Sequence, residues 1–200
     1  MRIVQLIDSL EAGGAERMAV NFANALSEKI TFSGLMATRK EGVLKQEIKH
    51  LDNYAFLGRK NKLDSSAIFL ATKYIKKNKI QIVHAHGSSY FFGVLIKLFN
   101  PKVKLIWHDH YGNRAKDSKQ KQVLKMCSFF FSKILTVNEE LKIWSLQHLN
   151  CKDVFFIPNF SDLKKAKDKT HLKGENFKRI VCLANLKNPK NHVTLMKAFI

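Results

Sequence analysis

Apolar residues recur along this chain in two rhythms, one short and dense, one spaced for helices. The first run, Ile3 to Ile7, is almost unbroken and rich in Ile and Leu, as a strand buried on both faces of a parallel sheet would be. Gly13 and Gly14 follow a brief loop. From Ala15 the spacing changes: Ala15, Met18, Ala19, Phe22, Ala23 and Leu26 form one helical face. A strand, a glycine loop and a helix in that order make one half of a βαβ unit.

The same alternation continues. The pattern predicts strands over Thr31–Ala37, Asn53–Leu57, Ile80–Ala85, Val103–Trp107, Lys133–Val137 and Val154–Ile157. Between them it predicts helices: Asp64–Lys77, which Asp64 or Ser65 can cap, Tyr90–Phe99, which Pro101 stops, Gln122–Phe131, and one from Asn138 or Glu139 to His148. Glu41–His50 has helical character. Phe129, Phe130 and Phe131 read as core or interface.

Alternating strands and helices predict an α/β fold with a doubly wound parallel sheet, Rossmann-like. In such sheets ligands sit beyond the carboxyl ends of the strands. Gly13, Gly14, His86, His110 and Asn138 all fall there, and this shared placement says more than any one of them. Glycines let backbone N–H groups approach a phosphate or sugar hydroxyl, and a helix N-terminus adds partial positive charge. A glycine pair that only turns the chain fits the same residues. The dinucleotide signature G-x-G-x-x-G is absent, which weakens a nicotinamide reading.

After Pro158 the pattern changes. The boundaries read as a domain over 1–158, a polar, lysine-rich linker over 159–178, and over 179–200 the first strand (Arg179–Leu183) and helix (from Asn191 or His192 to Ile200) of a second α/β domain. One strand and one helix cannot bury a core, so the expectation is a chain that lacks most of that second domain.

Composition narrows the setting. Of the 200 residues 46% are hydrophobic, with 15 Phe, which argues against disorder. Cys127, Cys151 and Cys182 have no metal-like spacing, and an odd count without a leader suggests reduced thiols and a cytoplasmic protein. No signal peptide or spanning helix is read. A formal charge of +19 favours anionic partners: lipid headgroups, nucleotide-linked substrates or nucleic acid. A lysine-rich proteome explains the same surplus. Nucleic acid is set aside, since the chain has no recognition motif and its aromatics lie in apolar runs.

The residues on these strand ends are similar to a known set. Gly13-Gly14-Ala15-Glu16-Arg17, Ile82-Val83-His84-Ala85-His86-Gly87, Leu105-Ile106-Trp107-His108-Asp109-His110, Leu135-Thr136-Val137-Asn138 and Phe156-Ile157-Pro158-Asn159 resemble the N-terminal half of GT-B glycosyltransferases of the family-4 type, which transfer sugars with retention. Val181 to Leu186 and Lys190-Asn191-His192 resemble the start of that family's second domain.

The resemblance implies a cleft between an acceptor-binding half and a donor-binding half. It makes His110 the active-site histidine that contacts the transferred sugar, and His86 a second histidine near the cleft. Gly13 and Gly14 would face the donor phosphates or the acceptor. Lys190 matches the donor-phosphate lysine. Asn185 stands where an arginine is usual, so Lys187 is the alternative source of charge. The implied partners are a nucleotide-sugar donor and a saccharide or lipid-linked acceptor, in cell-surface polysaccharide or glycolipid assembly, with no cofactor. The basic loop with Arg114, Lys116, Lys119 and Lys121 is a candidate for acceptor phosphates or an anionic membrane at the inner face; an exposed solvated loop fits it equally.

Two other functions stay open: a sugar-nucleotide epimerase of the same architecture, and a non-catalytic anion-binding module. His84-x-His86 and His108-x-His110 place imidazole pairs on one strand face, which permits metal ligation. No Cys or carboxylate set completes such a site except Asp109. The expectation is therefore no metal, with His84 and His108 buried and hydrogen-bonded.

Overall fold

The computed structural model describes residues 1–111, 114, 121–161, 173–175, 178–184 and 190–198. The chain divides into two units, Met1–Asp162 and Leu163–Ile200.

The first unit is built on one seven-stranded sheet, and every neighbouring pair is parallel. In chain order its elements are β1 (Arg2–Ser9), α1 (Gly14–Ser27), β2 (Phe32–Lys40), β3 (Tyr54–Phe56), α2 (Ser65–Lys77), β4 (Ile82–His86), α3 (Tyr90–Phe99), β5 (Lys104–Asp109), α4 (Lys121–Cys127), β6 (Lys133–Thr136), α5 (Glu139–His148) and β7 (Val154–Phe156). The strand order is β3-β2-β1-β4-β5-β6-β7. The order reverses between β1 and β4, and such a switch point opens a crevice at the carboxyl ends of the strands.

Both faces of the sheet are covered, as parallel sheets require. Alternate residues of one strand feed different cores. Val4 and Leu6 of β1 join a cluster with Ala67, Ala71, Phe92, Leu105 and Trp107, under α2 and α3. Ile7 of β1 joins Ala19, Val20 and Ala23 of α1 and Leu35 and Ala37 of β2. Caps fix the helix starts. Asp64 accepts a hydrogen bond from Ala67 N at 3.1 Å, and Asn138 accepts one from Leu141 N at 2.8 Å.

Two expectations change in this unit. Glu41–His50 is not a full helix: it holds a 3₁₀ turn, Val43–Glu47, anchored where Leu44 N donates to Leu10 O at 3.0 Å. The helix expected over Gln122–Phe131 ends at Cys127 and tightens into a 3₁₀ turn, Ser128–Phe130. That turn buries Phe131 and leaves Phe129 and Phe130 on the surface.

In the second unit, Arg179–Leu183 is described without strand structure, and Leu183 is 98% exposed. A strand needs a neighbour to take its backbone hydrogen bonds. A helix, α6 (His192–Lys197), begins after Asn191, which adopts left-handed backbone angles. Residues 199 and 200, in the expected extent of this helix, lie outside the described residues, as do most of 159–178.

Candidate active site

The switch point between β1 and β4 gathers an unusual set of polar side chains. In a parallel register, paired residues share a face. Gln5 of β1 pairs with His84 of β4, and His86 of β4 pairs with His108 of β5. His84 and His86 are two apart and so point the same way. His110 follows β5 on that face. The result is a patch of four imidazoles and one carboxamide where the other side of the sheet is apolar. Phe22 of α1 covers it, meeting His84 and His108 edge-on with ring centroids 5.1 and 5.7 Å away.

The rings lie close together. His84 and His108 have centroids 5.3 Å apart with planes 9° from parallel, and His86 and His110 have centroids 5.2 Å apart with planes 17° from parallel. His86 Nδ1 is 3.0 Å from His110 Nε2, and His86 Nε2 is 2.9 Å from Gln5 Oε1. His84, His86 and His108 are buried, and His110 is partly exposed. Burial disfavours the charged ring. It lowers His110 to about 4 and His84 to about 3, and it holds His86 and His108 well below the ordinary imidazole value, with neighbouring imidazoles adding to the effect. All four are neutral near pH 7.

His84 and His108 are buried as expected but not hydrogen-bonded throughout: His84 Nε2 and both His108 nitrogens have no partner among the described residues. His84, His86 and His108 are the residues that could hold a metal, with ring nitrogens within 4.8 Å of one another. Nitrogens around a tetrahedral zinc sit about 3.3 Å apart and aim at one point. Both His86 nitrogens are already engaged, one by His110 and one by Gln5. As arranged, His86 would have to give up one of these hydrogen bonds to join a chelate.

His110 borders an open hollow of about 350 Å³ with Ala15, Gly87, Ser88, Tyr90, Tyr111 and Arg114. Each wall has a reason. Gly87 turns the chain out of β4 with φ +54, a region that side chains resist. Its carbonyl accepts from Trp107 Nε1 at 2.9 Å. The Ser88 hydroxyl donates to Asp8 Oδ2 at 2.7 Å, and Asp8 Oδ1 accepts from Thr38 Oγ1 at 2.6 Å and from Arg59 at 2.8 Å. Arg59 is itself buried over the Phe92 ring. Arg114 grips Asp109 with Nε at 2.5 Å and Nη2 at 2.8 Å, and it lies over the Trp107 and Tyr111 rings. Asp109 also accepts from Tyr111 N at 3.0 Å, which holds the segment after β5.

Gly14 lines a second hollow, of about 280 Å³, with Arg17, Met18, Asn159, Phe160 and Ser161. Gly14 and Ala15 are consecutive, so the first turn of α1 stands between the two hollows. The N–H groups of Gly14, Ala15 and Glu16 have no intrahelical partner, because a helix leaves its first donors free. Gly13 caps this end in extended conformation without a side-chain hydrogen bond. Glu16 folds its carboxylate into the space a Gly13 side chain would need.

The structure thus brings His86, His110, Arg114 and the Gly13–Gly14 turn to one edge of the sheet. His86 is wholly buried and meets the hollow only through His110. Asn138 is at the end of β6, its carboxamide oxygen spent on capping α5. Lys190 is exposed in the second unit. Lys187 and Asn185 lie outside the described residues, as do Lys116, Lys119 and the Lys121 side chain. The sequence reading missed Gln5, Asp8, Ser88 and Arg59. For Gln5 and Asp8 the signal was present: they are the polar breaks in an apolar strand. Nothing local marks Arg59.

The family model for Glycosyltransferase Family 4 matches residues 12–165. Among solved structures the chain is similar in fold to sucrose-phosphate synthase from Thermosynechococcus elongatus, with a TM-score of 0.56, 12% identity, and 79% of this chain and 48% of that one covered. It is likewise similar to MurG from Acinetobacter baumannii (0.51, 15%, 82% and 47%). A third likeness is to UDP-N-acetylglucosamine 2-epimerase from Rickettsia bellii (0.52, 16%, 78% and 44%). The chain spans less than half the length of each. No curated protein matches it by sequence.

Proposed function

From the premise that this chain belongs to glycosyltransferase family 4, we propose that it forms the acceptor-side half of an enzyme that moves a sugar from a nucleotide-sugar donor to a saccharide or lipid-linked acceptor. The observation that carries this reading is the placement of His110. It borders a hollow at the switch point of the sheet, beside the free N–H groups of the first turn of α1.

The chemistry asks for such a place. In transfer the sugar–phosphate bond breaks and its electron pair leaves on the nucleoside diphosphate. Positive charge builds on the sugar ring while the acceptor oxygen bonds to the anomeric carbon and gives up its proton to the departing diphosphate oxygen. A neutral imidazole can hold a sugar hydroxyl without adding charge. Free N–H groups and lysines stabilise the departing diphosphate. In this reading His110 contacts the transferred sugar, and the turn at Gly13 and Gly14 faces phosphate or acceptor. Lys190 and Lys187 serve the donor phosphates. Retention of configuration, a hexosyl donor and a role in cell-surface polysaccharide or glycolipid assembly belong to the same proposal. So does the division into an acceptor domain over 1–158, a linker over 159–178 and the start of a donor domain at 179.

Peripheral contact with an anionic membrane at the inner face completes the reading. The charge of +19 supports it, as does a surface strip where Met126 and Phe129 are 69% and 73% exposed beside Lys125. Among the described residues no helix is long and apolar enough to cross a membrane.

A second reading, epimerisation of a nucleotide sugar, draws on the shared fold with the Rickettsia bellii enzyme. A donor screen on the full-length protein separates the two. Transfer consumes donor in proportion to acceptor and releases nucleoside diphosphate. Epimerisation alters the donor sugar with no acceptor present. A screen in which no nucleotide sugar is consumed removes both.

A further inference from the structure

Gln5 is a wholly buried carboxamide in the middle of β1, between Val4 and Leu6. Its oxygen lies 2.9 Å from His86 Nε2. A carbonyl oxygen has no proton to give, so His86 carries its ring proton on Nε2 and donates it there. A neutral imidazole has only one such proton. His86 Nδ1 is therefore a lone pair, and it accepts across 3.0 Å from His110 Nε2–H. The single proton of His110 is then committed inward. Its Nδ1, buried and without a partner among the described residues, is also a lone pair.

We propose that Gln5 is a positioning residue: acting through His86, it fixes the tautomer of His110, so that the ring bordering the hollow keeps its single N–H turned inward on His86 and offers the hollow no N–H donor for an anionic oxygen. The relay stands on geometry alone; that the hollow receives a sugar rests on the glycosyltransferase reading. The relay explains why a glutamine interrupts an apolar strand. It also assigns a use to His86, which is too deeply buried to reach a ligand itself. Burial keeps each ring neutral near pH 7, so the tautomers are the only choice left to them.

Two-bond proton–nitrogen NMR of the ¹⁵N-histidine-labelled chain at pH 7.5 reads the tautomers directly. The expected result is Nε2–H for both His86 and His110. In Gln5→Glu the carboxylate still accepts from His86, so both stay Nε2–H. In Gln5→Leu the acceptor is gone and His110 becomes a mixture of tautomers; Gln5→Met is the closer match in shape and gives the same mixture. Nδ1–H on His110 in the wild type overturns the proposal: it would mean that the amide faces the other way and donates. An unchanged single tautomer in both Gln5→Leu and Gln5→Met overturns it too. In the full-length enzyme, transfer falls roughly tenfold to a hundredfold in Gln5→Leu and is kept in Gln5→Glu. Tautomers as expected with no sugar transfer by wild-type enzyme would leave the relay standing and remove the glycosyltransferase reading. Transfer with the wrong tautomer would do the reverse.

Discussion

Arg114 reaches back to Asp109 with two nitrogens, Nε at 2.5 Å and Nη2 at 2.8 Å, and lines the same hollow as His110. The carboxylate is fully buried, and the arginine side chain is 12% exposed. A fork of this kind spends much of the guanidinium on structure, so a phosphate that meets Arg114 meets only its remaining donors. Removing the arginine strands a buried carboxylate. Arg114→Ala is expected to destabilise the chain by about 3 kcal/mol. The double variant Asp109→Asn with Arg114→Ala should recover part of that loss. Denaturant unfolding measures both; a loss below about 1 kcal/mol for Arg114→Ala contradicts a buried pair.

Asn138 offers a way to tell a cap from a ligand contact. Its oxygen accepts from Leu141 N at 2.8 Å. Asn138→Ala should cost about 1 kcal/mol of stability, while Asn138→Asp or Asn138→Ser should cost much less. Activity that falls in Asn138→Asp with stability intact would instead place the side chain at the substrate.

The buried imidazoles make stability depend on pH. An ordinary imidazole titrates near 6.5, and burial lowers His110 to about 4 and His84 to about 3. With folded values depressed, the unfolded chain takes up protons first. These groups leave stability untouched above pH 6.5 and subtract from it as pH falls from 6.5 toward 4 and 3. Each site adds a slope of about 1.4 kcal/mol per pH unit in that window. The Asp64 carboxyl, lowered to about 2 by hydrogen bonds from the Lys60 N–H, the Ser66 hydroxyl and the Ala67 N–H, acts only below the ordinary carboxylate range. Melting followed from pH 7.5 to 4.5 should show the midpoint falling throughout the acid half of that range. His84→Gln should flatten the slope. A midpoint level down to pH 5 contradicts neutral buried histidines.

Much of the fold could be read from the residues because parallel sheets impose a strong pattern. The runs at Ile3 and Val103 and the helix of Tyr90–Phe99 follow from apolar spacing alone, and Asp64 and Asn138 announce their helices as caps. Arg179–Leu183 has an apolar run too, but strand structure depends on a partner strand, which local pattern cannot supply. The site was legible as a row of strand ends and not as a network. That His86 lies behind His110, and that Gln5 stands next to His86, follow from the β1–β4–β5 register, which brings together residues 81 positions apart by setting Gln5 opposite His84. Arg59 reaches Asp8 from a loop with no pattern of its own.

Membrane contact has a simple signature. Binding to vesicles containing anionic lipid should fall steeply between 50 and 500 mM salt, because charge attraction is screened over about 10 Å at 0.1 M. Replacing Met126 and Phe129 with serine should weaken the binding that remains at high salt. Equal flotation with neutral and anionic vesicles contradicts an electrostatic contribution.

The central claim is that the hollow beside His110 is one wall of a sugar-transfer cleft. Its most direct test compares nucleoside diphosphate release by the full-length enzyme and its His110→Ala variant, across a panel of nucleotide sugars with saccharide and lipid acceptors. The account expects the wild type to release diphosphate with at least one donor. The variant should be slower by about a hundredfold or more while keeping a cooperative melting transition. Near-equal rates in the two proteins would take His110, and the hollow it borders, out of the reaction.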